Sequence, residues 1–254
     1  MSKKRILLKV GTNTLTKETN QISRGKIEDI GRQIAALKDS CEFIIVSSGA
    51  IAAAKQFVQL EHNGQEINVK QALAAIGQPH LMRIFQENFR ELGLFTAQCL
   101  LSYSDFENLS AKSNIKNTID VLVSNNFIPI INENDTVSTD EIKFGDNDKL
   151  AALAAALLKV DLLIIATNTD GIYTKKSIAL QHPETIISVK NIADLVKEVS
   201  TEKSSLGTGG MQSKIDAVTI AKHAKIESWI VNGLKDNFIT DAFKGVGNFT
   251  KIEA

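Results

Sequence analysis

The sequence predicts an α/β protein: a three-layer α/β/α sandwich with a mostly parallel central sheet. Short apolar runs, typical of buried strands, alternate with stretches in which apolar residues recur every three or four positions, as on one face of a helix. Several runs end in turns rich in glycine or serine, as parallel strands do where they face a ligand. The 254 residues fit a single domain. A soft boundary near Asp161 separates an N-terminal lobe, about 1–160, from a C-terminal lobe, about 161–254.

The composition favours a small-molecule partner. The formal net charge is zero, so the chain lacks the basic excess with which proteins bind nucleic acid. Cys41 and Cys99 are not spaced for a zinc site or a disulfide framework, and we expect two buried thiols in a reducing compartment. Lys9 interrupts the N-terminal apolar run too early for a signal peptide, and the run 150–158 is too short to span a membrane. We therefore expect a cytoplasmic protein that binds neither nucleic acid nor membrane.

The individual elements follow from these patterns in chain order. The expected strands are residues 6–10, 43–46, 94–101, 127–131, 162–167 and 228–231. Helical periodicity predicts helices over 23–40 and 50–61, one from Asn68, one marked by Ile115, Ile119 and Leu122, a short one from Asn191 and one from about Gly210. The spacing of Asn68 and Gln71 predicts a capping box, and Pro79 is expected to break or kink that helix.

The stretch 131–158 joins an apolar strand to an apolar helix through a loop dense in Asn, Asp, Glu and Thr. In an α/β protein such a loop presents side chains to a small polar ligand. Gly145 is followed by Asp146, Asn147 and Asp148, which place polar groups at the start of a helix that faces the crevice. The alternative for Asp148 is an ordinary aspartate of a first helical turn.

The chain contains no P-loop, protein-kinase or dinucleotide-binding motif. Glycine-containing turns at 10–12, 47–50 and 207–210 can expose backbone N–H groups that bind an anion. A single such turn, however, more often contains glycine only because the backbone conformation requires it. Lys9 ends an otherwise apolar strand, which favours a phosphate or carboxylate partner. Lys214 lies early in a predicted helix, and taken alone it is more simply interpreted as a solvent-exposed lysine than as a ligand-binding one. Together these features indicate phosphoryl transfer, which needs cations and positioning, with Asp148 holding the two ammonium groups.

Six segments together resemble the glutamate 5-kinases of the amino-acid kinase superfamily. They are LKVGT at 8–12, VSSGAI at 46–51, KQALAAIGQ at 70–78, INEND at 131–135, FGDND at 144–148 and GTGGM at 207–211. The lysine of the first strand and the glycine turns are shared across the superfamily, whereas QALAAIGQ, INEND and GDND are specific to glutamate 5-kinases. The resemblance implies the amino-acid kinase fold. It also implies ATP-dependent phosphorylation of the γ-carboxylate of L-glutamate to L-glutamyl 5-phosphate, the first step of proline biosynthesis.

The resemblance implies roles for individual residues as well. The lysines of the catalytic set bind the transferring phosphoryl group, Asp148 orients them, and glycine N–H groups support the phosphoryl oxygens; the set is Lys9, Lys214, Asp148, Gly11 and Gly49. The glutamate-binding positions are Ser48, Asn134, Asp135 and Asn147. The ATP-binding positions are Lys9, Thr167, Asn168, Asp170, Thr208, Gly209, Gly210, Met211, Gln212, Ser213 and Lys214. Magnesium comes with the nucleotide, and no protein metal ligand is assigned.

Further expectations from the resemblance are a homo-oligomer, dimer or tetramer, and feedback inhibition by proline. The sequence departs from its relatives at Asn168, where Asp is common, and at Ala54, where Gly is common. It also ends before a PUA domain, an RNA-binding type of module, could begin, so we expect the short form. Two alternatives stay open. One is another kinase of the superfamily, acting on acetylglutamate, carbamate, aspartate or UMP, and the other is a catalytically silent nucleotide or amino-acid sensor.

Overall fold

The computed structural model describes residues 3–60, 66–138, 147–198 and 210–254, and in these parts of the chain eight strands form one sheet. The strands are β1 (Lys4–Val10), β2 (Cys41–Ser47), β3 (Phe95–Leu101), β4 (Phe127–Glu133), β5 (Leu162–Thr167), β6 (Ser188–Val189), β7 (Glu227–Asn232) and β8 (Thr250–Ile252). The helices are α1 (Thr12–Thr16), α2 (Arg24–Leu37), α3 (Ala50–Ala54), α4 (Ile67–Arg90), α5 (Leu109–Ser124), α6 (Asp148–Leu158), α7 (Lys175–Ala179), α8 (Ile192–Glu198), α9 (Met211–His223) and α10 (Phe238–Lys244). A 3-10 turn spans Tyr103–Phe106.

The sheet order is β3-β4-β2-β1-β5-β7-β8-β6. Strand pairs are parallel from β3 to β7, and β8 runs antiparallel to β7. The chain begins in the middle of the sheet, so β2 lies on one side of β1 and β5 on the other. In open parallel sheets, ligands bind at such a reversal of strand order, beyond the carboxyl ends of the strands. The fold therefore predicts a ligand site at the carboxyl ends of β1, β2 and β5.

Two hydrophobic cores, one on each face of the sheet, confirm the predicted three-layer arrangement. Strand β1 supplies both of them, because successive side chains of a strand point to opposite faces. Leu7 packs in the core that contains α5, α6 and α9, whereas Ile6 and Leu8 pack in the core that contains α2, α4 and α10. One sheet runs through the whole described chain, and the division into two lobes near Asp161 stays a prediction. Among the described residues, no helix combines the length and apolar character that crossing a bilayer requires.

Several predicted details were wrong. The helix expected over 50–61 ends at Ala54, and helix α4 has Glu66 rather than Asn68 at its N-cap, without a side-chain cap. Pro79 does not break α4, which continues to Arg90, and a kink at Pro79 stays a prediction. Strand β4 extends two residues further than expected, through Asn132 and Glu133, and Cys99 is only half buried. Elements β6, β8, α7 and α10 are too short or too polar to give a periodic signal.

Helix α4 contacts α3 through Gly77, two residues before Pro79. A Cβ atom at Gly77 would lie 1.8 Å from the carbonyl oxygen of Ala50 and 2.8 Å from the backbone nitrogen of Ala54. Only glycine therefore permits this approach of the two helix backbones. Because Ala50 follows the turn at the end of β2, the contact also fixes the position of that turn.

We predict that Gly77→Ala destabilises the fold by about 3 kcal/mol or more, because backbone atoms of α3 cannot move away without disturbing the end of β2. Gly25→Ala is the matched control, since a Cβ atom there meets nothing within 4 Å on an exposed helical position. We expect the control to be neutral or stabilised by about 0.5–1 kcal/mol. Urea unfolding of the two variants measures the difference, and equal stabilities would contradict the close contact.

Candidate active site

A buried carboxylate with two lysines lies beyond the carboxyl ends of β1, β2 and β5. Asp148, the first residue of α6, is fully buried, and Lys9 and Lys214 are 3% and 8% exposed. The Nζ atom of Lys9 lies 2.5 Å from Oδ1 of Asp148, and Nζ of Lys214 lies 3.1 Å from Oδ2. Ser213 donates a hydrogen bond to the same Oδ2 at 3.0 Å. The structure thus brings together both predicted lysines and the aspartate between them.

Three distant segments build this cluster. Lys9 is the penultimate residue of β1 and shares the Leu7 face of the sheet, so its side chain extends beneath α6. Lys214 lies in the first turn of α9, which packs against α6. Asp148 stands at the N-terminus of α6, where the helix dipole favours a negative charge. The parallel sheet and the packing of the two helices therefore set the distances between the charges.

The environment of Asp148 keeps its carboxyl group ionised. Complete burial alone would raise its pKa, but the opposite charges of Lys9 and Lys214, and their hydrogen bonds, hold that pKa well below its ordinary value. The stabilisation from this pairing is present at neutral pH and is lost only in strong acid. Two ammonium groups against one carboxylate leave a net positive charge, which suits an anion in the crevice.

Glycine is favoured at positions 11 and 49 of the predicted catalytic set for two different structural reasons. A Cβ atom at Gly11 would lie 3.3 Å from Nζ of Lys9, so glycine keeps the approach to the ammonium group open. Gly49 has φ +103°, in the left-handed region that favours glycine, and it begins α3 directly after Ser48. The Ser48 amide donates to the carbonyl oxygen of Val10, which ties the turns after β1 and β2 together.

Asn147 lies at the centre of a buried group of polar side chains next to Asp148. Its Nδ2 atom donates to the Ser47 carbonyl oxygen at 2.8 Å, to Oδ1 of Asn132 at 2.9 Å and to Oγ of Ser48 at 3.2 Å. Its Oδ1 atom is buried and has no hydrogen-bond partner among the described residues. The predicted residues Ser48 and Asn147 thus meet. Asn132, which joins them, had no assigned role in the prediction.

Asp135 supplies a second buried carboxyl group, after β4. It is 6% exposed, and its Oδ1 atom is buried without a hydrogen-bond partner in the part of the chain that the structure describes. Burial, and then the negative charge of Glu133, raise the pKa of Asp135 to about 7. Asn134 is less buried, and its Oδ1 accepts a hydrogen bond from Thr136. An acidic pair of this kind is stabilised when a cationic group enters and compensates the charge.

The predicted nucleotide residues occupy two places. Lys9, Ser213 and Lys214 contact Asp148, with Gly210 at the N-cap of α9. Met211 packs against the core, and Gln212 is exposed and bonds to Asp216 of its own helix. Thr167 ends β5, and Thr208 and Gly209 lie outside the described residues.

Asn168 and Asp170 form a different group at the end of β5. Asn168 donates to Glu18 at 3.0 Å. Asp170 accepts from Asn232 at 2.8 Å and lies 2.6 Å from Nζ of Lys235. Its pKa is held below the usual value, because these partners outweigh the partial burial. The described chain brings no group of three His, Cys, Asp or Glu side chains together as a metal site.

Sequence reasoning missed the residues that support the site. Gln78, Asn132 and Glu133 lie within the segments QALAAIGQ and INEND but had no role, and Lys235 was not considered. A signal existed for the first three, because polar side chains within otherwise apolar segments need buried partners.

Comparison with known proteins agrees with this geometry. The model of the amino acid kinase family matches residues 4–232. A glutamate 5-kinase from Alkaliphilus metalliredigens is 38% identical over 255 residues, covering 99% of this chain and 96% of the relative. The chain belongs to the glutamate 5-kinases of the amino acid kinase family. This membership confirms the resemblance in the six segments.

A second relative is longer than this chain, and a solved structure shares its fold. A glutamate 5-kinase from Thermoanaerobacter sp. is 41% identical over 243 residues, which cover 95% of this chain and 65% of that relative. The crystal structure of UMP kinase from Ureaplasma parvum has a TM-score of 0.66 and covers 100% of both chains at 17% identity. The likeness to UMP kinase shows the shared fold and thereby confirms the predicted architecture.

We predict that the buried carboxyl group of Asp135 makes stability depend on pH around neutrality. Its folded pKa of about 7 lies above the ordinary value of 3.8, so between these pH values the unfolded chain has lost the proton while the folded chain keeps it, and the stability of the folded state falls as pH rises to about 7. Asp135→Asn removes this cost. Its stability relative to wild type should rise by about 2 kcal/mol between pH 5.5 and 8. Urea unfolding at both pH values measures this change.

Asp39→Asn, at an exposed turn before β2, is the control for that comparison. A stability difference between Asp135→Asn and wild type that stays constant with pH would show that Asp135 is already ionised at pH 5.5.

Proposed function

We propose that the protein transfers the γ-phosphoryl group of ATP to the γ-carboxylate of L-glutamate, forming L-glutamyl 5-phosphate and ADP, the first step of proline biosynthesis. The observation that carries this proposal is the buried cluster of Lys9, Asp148 and Lys214 at the reversal of strand order. Its net positive charge is suited to the negative charge that spreads over the oxygens of a transferring phosphoryl group. The substrate assignment is supported by the glutamate 5-kinase relatives.

The reaction needs no general base, because the nucleophile is already a carboxylate anion. A γ-carboxylate oxygen forms a bond to the γ-phosphorus while the bond from that phosphorus to the bridging oxygen of ADP breaks. Lys9 and Lys214 bind the phosphoryl oxygens on this proposal, and Asp148 positions the two ammonium groups. Backbone N–H groups at Gly11 and Gly49, where the turns after β1 and β2 meet, complete the support. Catalysis then rests on positioning and charge.

The substrate end of the site lies around Asn147, with Ser48, Asn134 and Asp135 as the other proposed contacts. Asp135 and Glu133 offer negative charge for the substrate ammonium group, and Ser48 offers a hydroxyl group beside Asn147. A bound ammonium group would lower the pKa of Asp135 towards its ordinary value. The Michaelis constant for glutamate should therefore fall as pH rises through about 7.

The nucleotide end is proposed to comprise Thr167, Asn168, Asp170 and the segment from Thr208 through Gly209, Gly210, Met211, Gln212 and Ser213 to Lys214. Gly210 is the N-cap of α9, whose N-terminus favours an anion. Both oxygens of Asp148 already contact ammonium groups, a donor set that suits phosphate better than a cation. Mg²⁺ would accordingly be held by the phosphates of ATP, where it neutralises charge.

A cytoplasmic location, a homo-oligomeric assembly and feedback inhibition by proline complete the proposal. The location rests on the sequence patterns of the N-terminal and 150–158 apolar runs, and the assembly and the inhibition rest on the family resemblance. Proline shares with glutamate the α-carboxylate and the α-nitrogen cation, which the acidic pair at Asp135 would attract.

The proposed function predicts that the purified protein, given MgATP, L-glutamate and hydroxylamine, forms γ-glutamyl hydroxamate. Hydroxylamine traps the acyl phosphate, so the assay detects the product and not merely ATP hydrolysis. A panel of acetylglutamate, carbamate, aspartate and UMP, read by ADP release, serves as the comparison. Turnover of UMP or carbamate without turnover of glutamate would overturn the substrate assignment, and no turnover of any of them would favour a silent sensor.

We predict that Lys9→Met and Lys214→Met each lower kcat by about 10²-fold or more, because each removes a cation directed at the phosphoryl oxygens. Lys222→Met is the matched control on α9. Lys222 lies two turns beyond Lys214 and bonds to the carbonyl oxygen of Glu253. Steady-state rates at saturating MgATP and glutamate measure the effect. Equal rates for Lys214→Met and Lys222→Met would exclude the proposed role.

A further inference from the structure

A chain of hydrogen-bonded amide side chains leads from exposed Gln98, at the sheet edge, to buried Asn147. Asn147 Nδ2 donates to Oδ1 of Asn132 at 2.9 Å, and Asn132 Nδ2 donates to Oε1 of Gln78 at 2.8 Å. Gln78 Nε2 then donates to Oε1 of Gln98 at 3.1 Å. We call Asn147, Asn132 and Gln78 the amide relay; Gln98 is exposed and lies beyond its end. Asn132 and Asn147 are 1% and 0% exposed, and Gln78 is 8% exposed, so water cannot readily replace these bonds.

Two backbone groups fix the direction of the relay. The Ser47 carbonyl oxygen, which can only accept, receives Nδ2 of Asn147 at 2.8 Å. The Glu133 amide, which can only donate, bonds to Oδ1 of Asn132 at 2.9 Å. An amide side chain can in principle be turned by 180° to exchange its oxygen and nitrogen. Here such a turn at Asn147 or Asn132 would place like groups against each other.

The fixed direction determines what Asn147 offers to a ligand. Both hydrogens of its Nδ2 face protein acceptors, so Oδ1, which is buried and has no partner among residues 3–60, 66–138, 147–198 and 210–254, is the remaining polar atom. A buried acceptor without a partner is costly, and a hydrogen-bond donor on a ligand would satisfy it. Asp135, with its own buried oxygen lacking a partner, also calls for a donor. Each of these two oxygens favours a hydrogen-bond donor, such as the substrate ammonium group, over either carboxylate of the substrate.

We propose that Asn132 and Gln78 are positioning residues that hold Asn147 with its oxygen towards the substrate, and so select a substrate that carries an ammonium group. This inference rests on the proposed function and assigns roles to two residues that act only through Asn147. Asn132 restrains Asn147 directly, because it accepts from the Asn147 amide. Gln78 acts one step further away, because it accepts from Asn132 and keeps that amide from turning. Neither residue touches the reacting phosphoryl group, so the relay affects substrate binding and not phosphoryl transfer.

The test compares L-glutamate with glutarate, which has both carboxylates but lacks the amino group. Asn132→Leu and Gln78→Met each remove one acceptor from the relay. For both variants we expect KM for L-glutamate to rise about tenfold, with kcat within about threefold of wild type, which corresponds to one lost hydrogen bond to a charged group. The inhibition constant of glutarate should stay within about twofold.

Conservative variants separate positioning from general damage. Gln78→Glu keeps an acceptor for Asn132 and should retain KM within about threefold of wild type. Gln98→Met makes the same chemical change as Gln78→Met at an exposed position outside the relay, where water can replace the lost acceptor, and we expect it to behave as wild type. Thermal unfolding of every variant reports on folding. If Asn132→Leu does not fold, the contrast between Gln78→Met and Gln78→Glu decides the question.

The outcomes separate the two proposals. An active wild type whose Gln78→Met and Asn132→Leu variants bind glutamate normally would overturn the relay alone. Equal weakening of glutamate and glutarate, or a fall in kcat without a change in KM, would overturn it as well. A wild type that forms no γ-glutamyl hydroxamate would overturn the proposed function, and the ammonium assignment with it.

Discussion

The site depends on one interaction, the contact of the fully buried Asp148 carboxylate with the ammonium groups of Lys9 and Lys214. A lone carboxylate at this depth would be strongly disfavoured, and two lysines without it would repel each other. Together they leave a single excess positive charge, held between a strand and two helices. Such a preformed charge suits phosphoryl transfer, because the protein does not reorganise when negative charge moves from ATP to the acceptor.

The fold makes this arrangement possible by bringing three distant segments to one edge of the sheet. Lys9 comes from the end of β1, Asp148 from the helix after β4, and Lys214 from the helix before β7. The contact of Gly77 with Ala50 fixes the turn after β2, and the same helix α4 carries Gln78 to Asn132. Substrate selection and charge placement therefore share α6, since Asn147 and Asp148 are neighbours at its N-terminus.

Much of the fold followed from the sequence because buried parallel strands are short apolar runs, and all six predicted strands are present. Lys9 stood out because a cation in such a run needs an anion. The continuous helix through Pro79 was not predictable, because its continuity depends on tertiary packing rather than on local propensity. The amide relay was equally hidden, since the partners of Asn132 are 15 and 54 residues away in sequence. The raised pKa of Asp135 depends on burial, which no local pattern reveals.

The most direct measurement of the central claim is urea unfolding of Asp148→Asn with and without MgATP. Without nucleotide, the two lysines lose their shared partner, and the free energy of unfolding should fall by about 3–5 kcal/mol at pH 7. MgATP supplies phosphate oxygens to the same ammonium groups, so it should stabilise Asp148→Asn more than it stabilises wild type. A variant as stable as wild type without nucleotide, with no larger stabilisation by MgATP, would contradict the role assigned to this carboxylate.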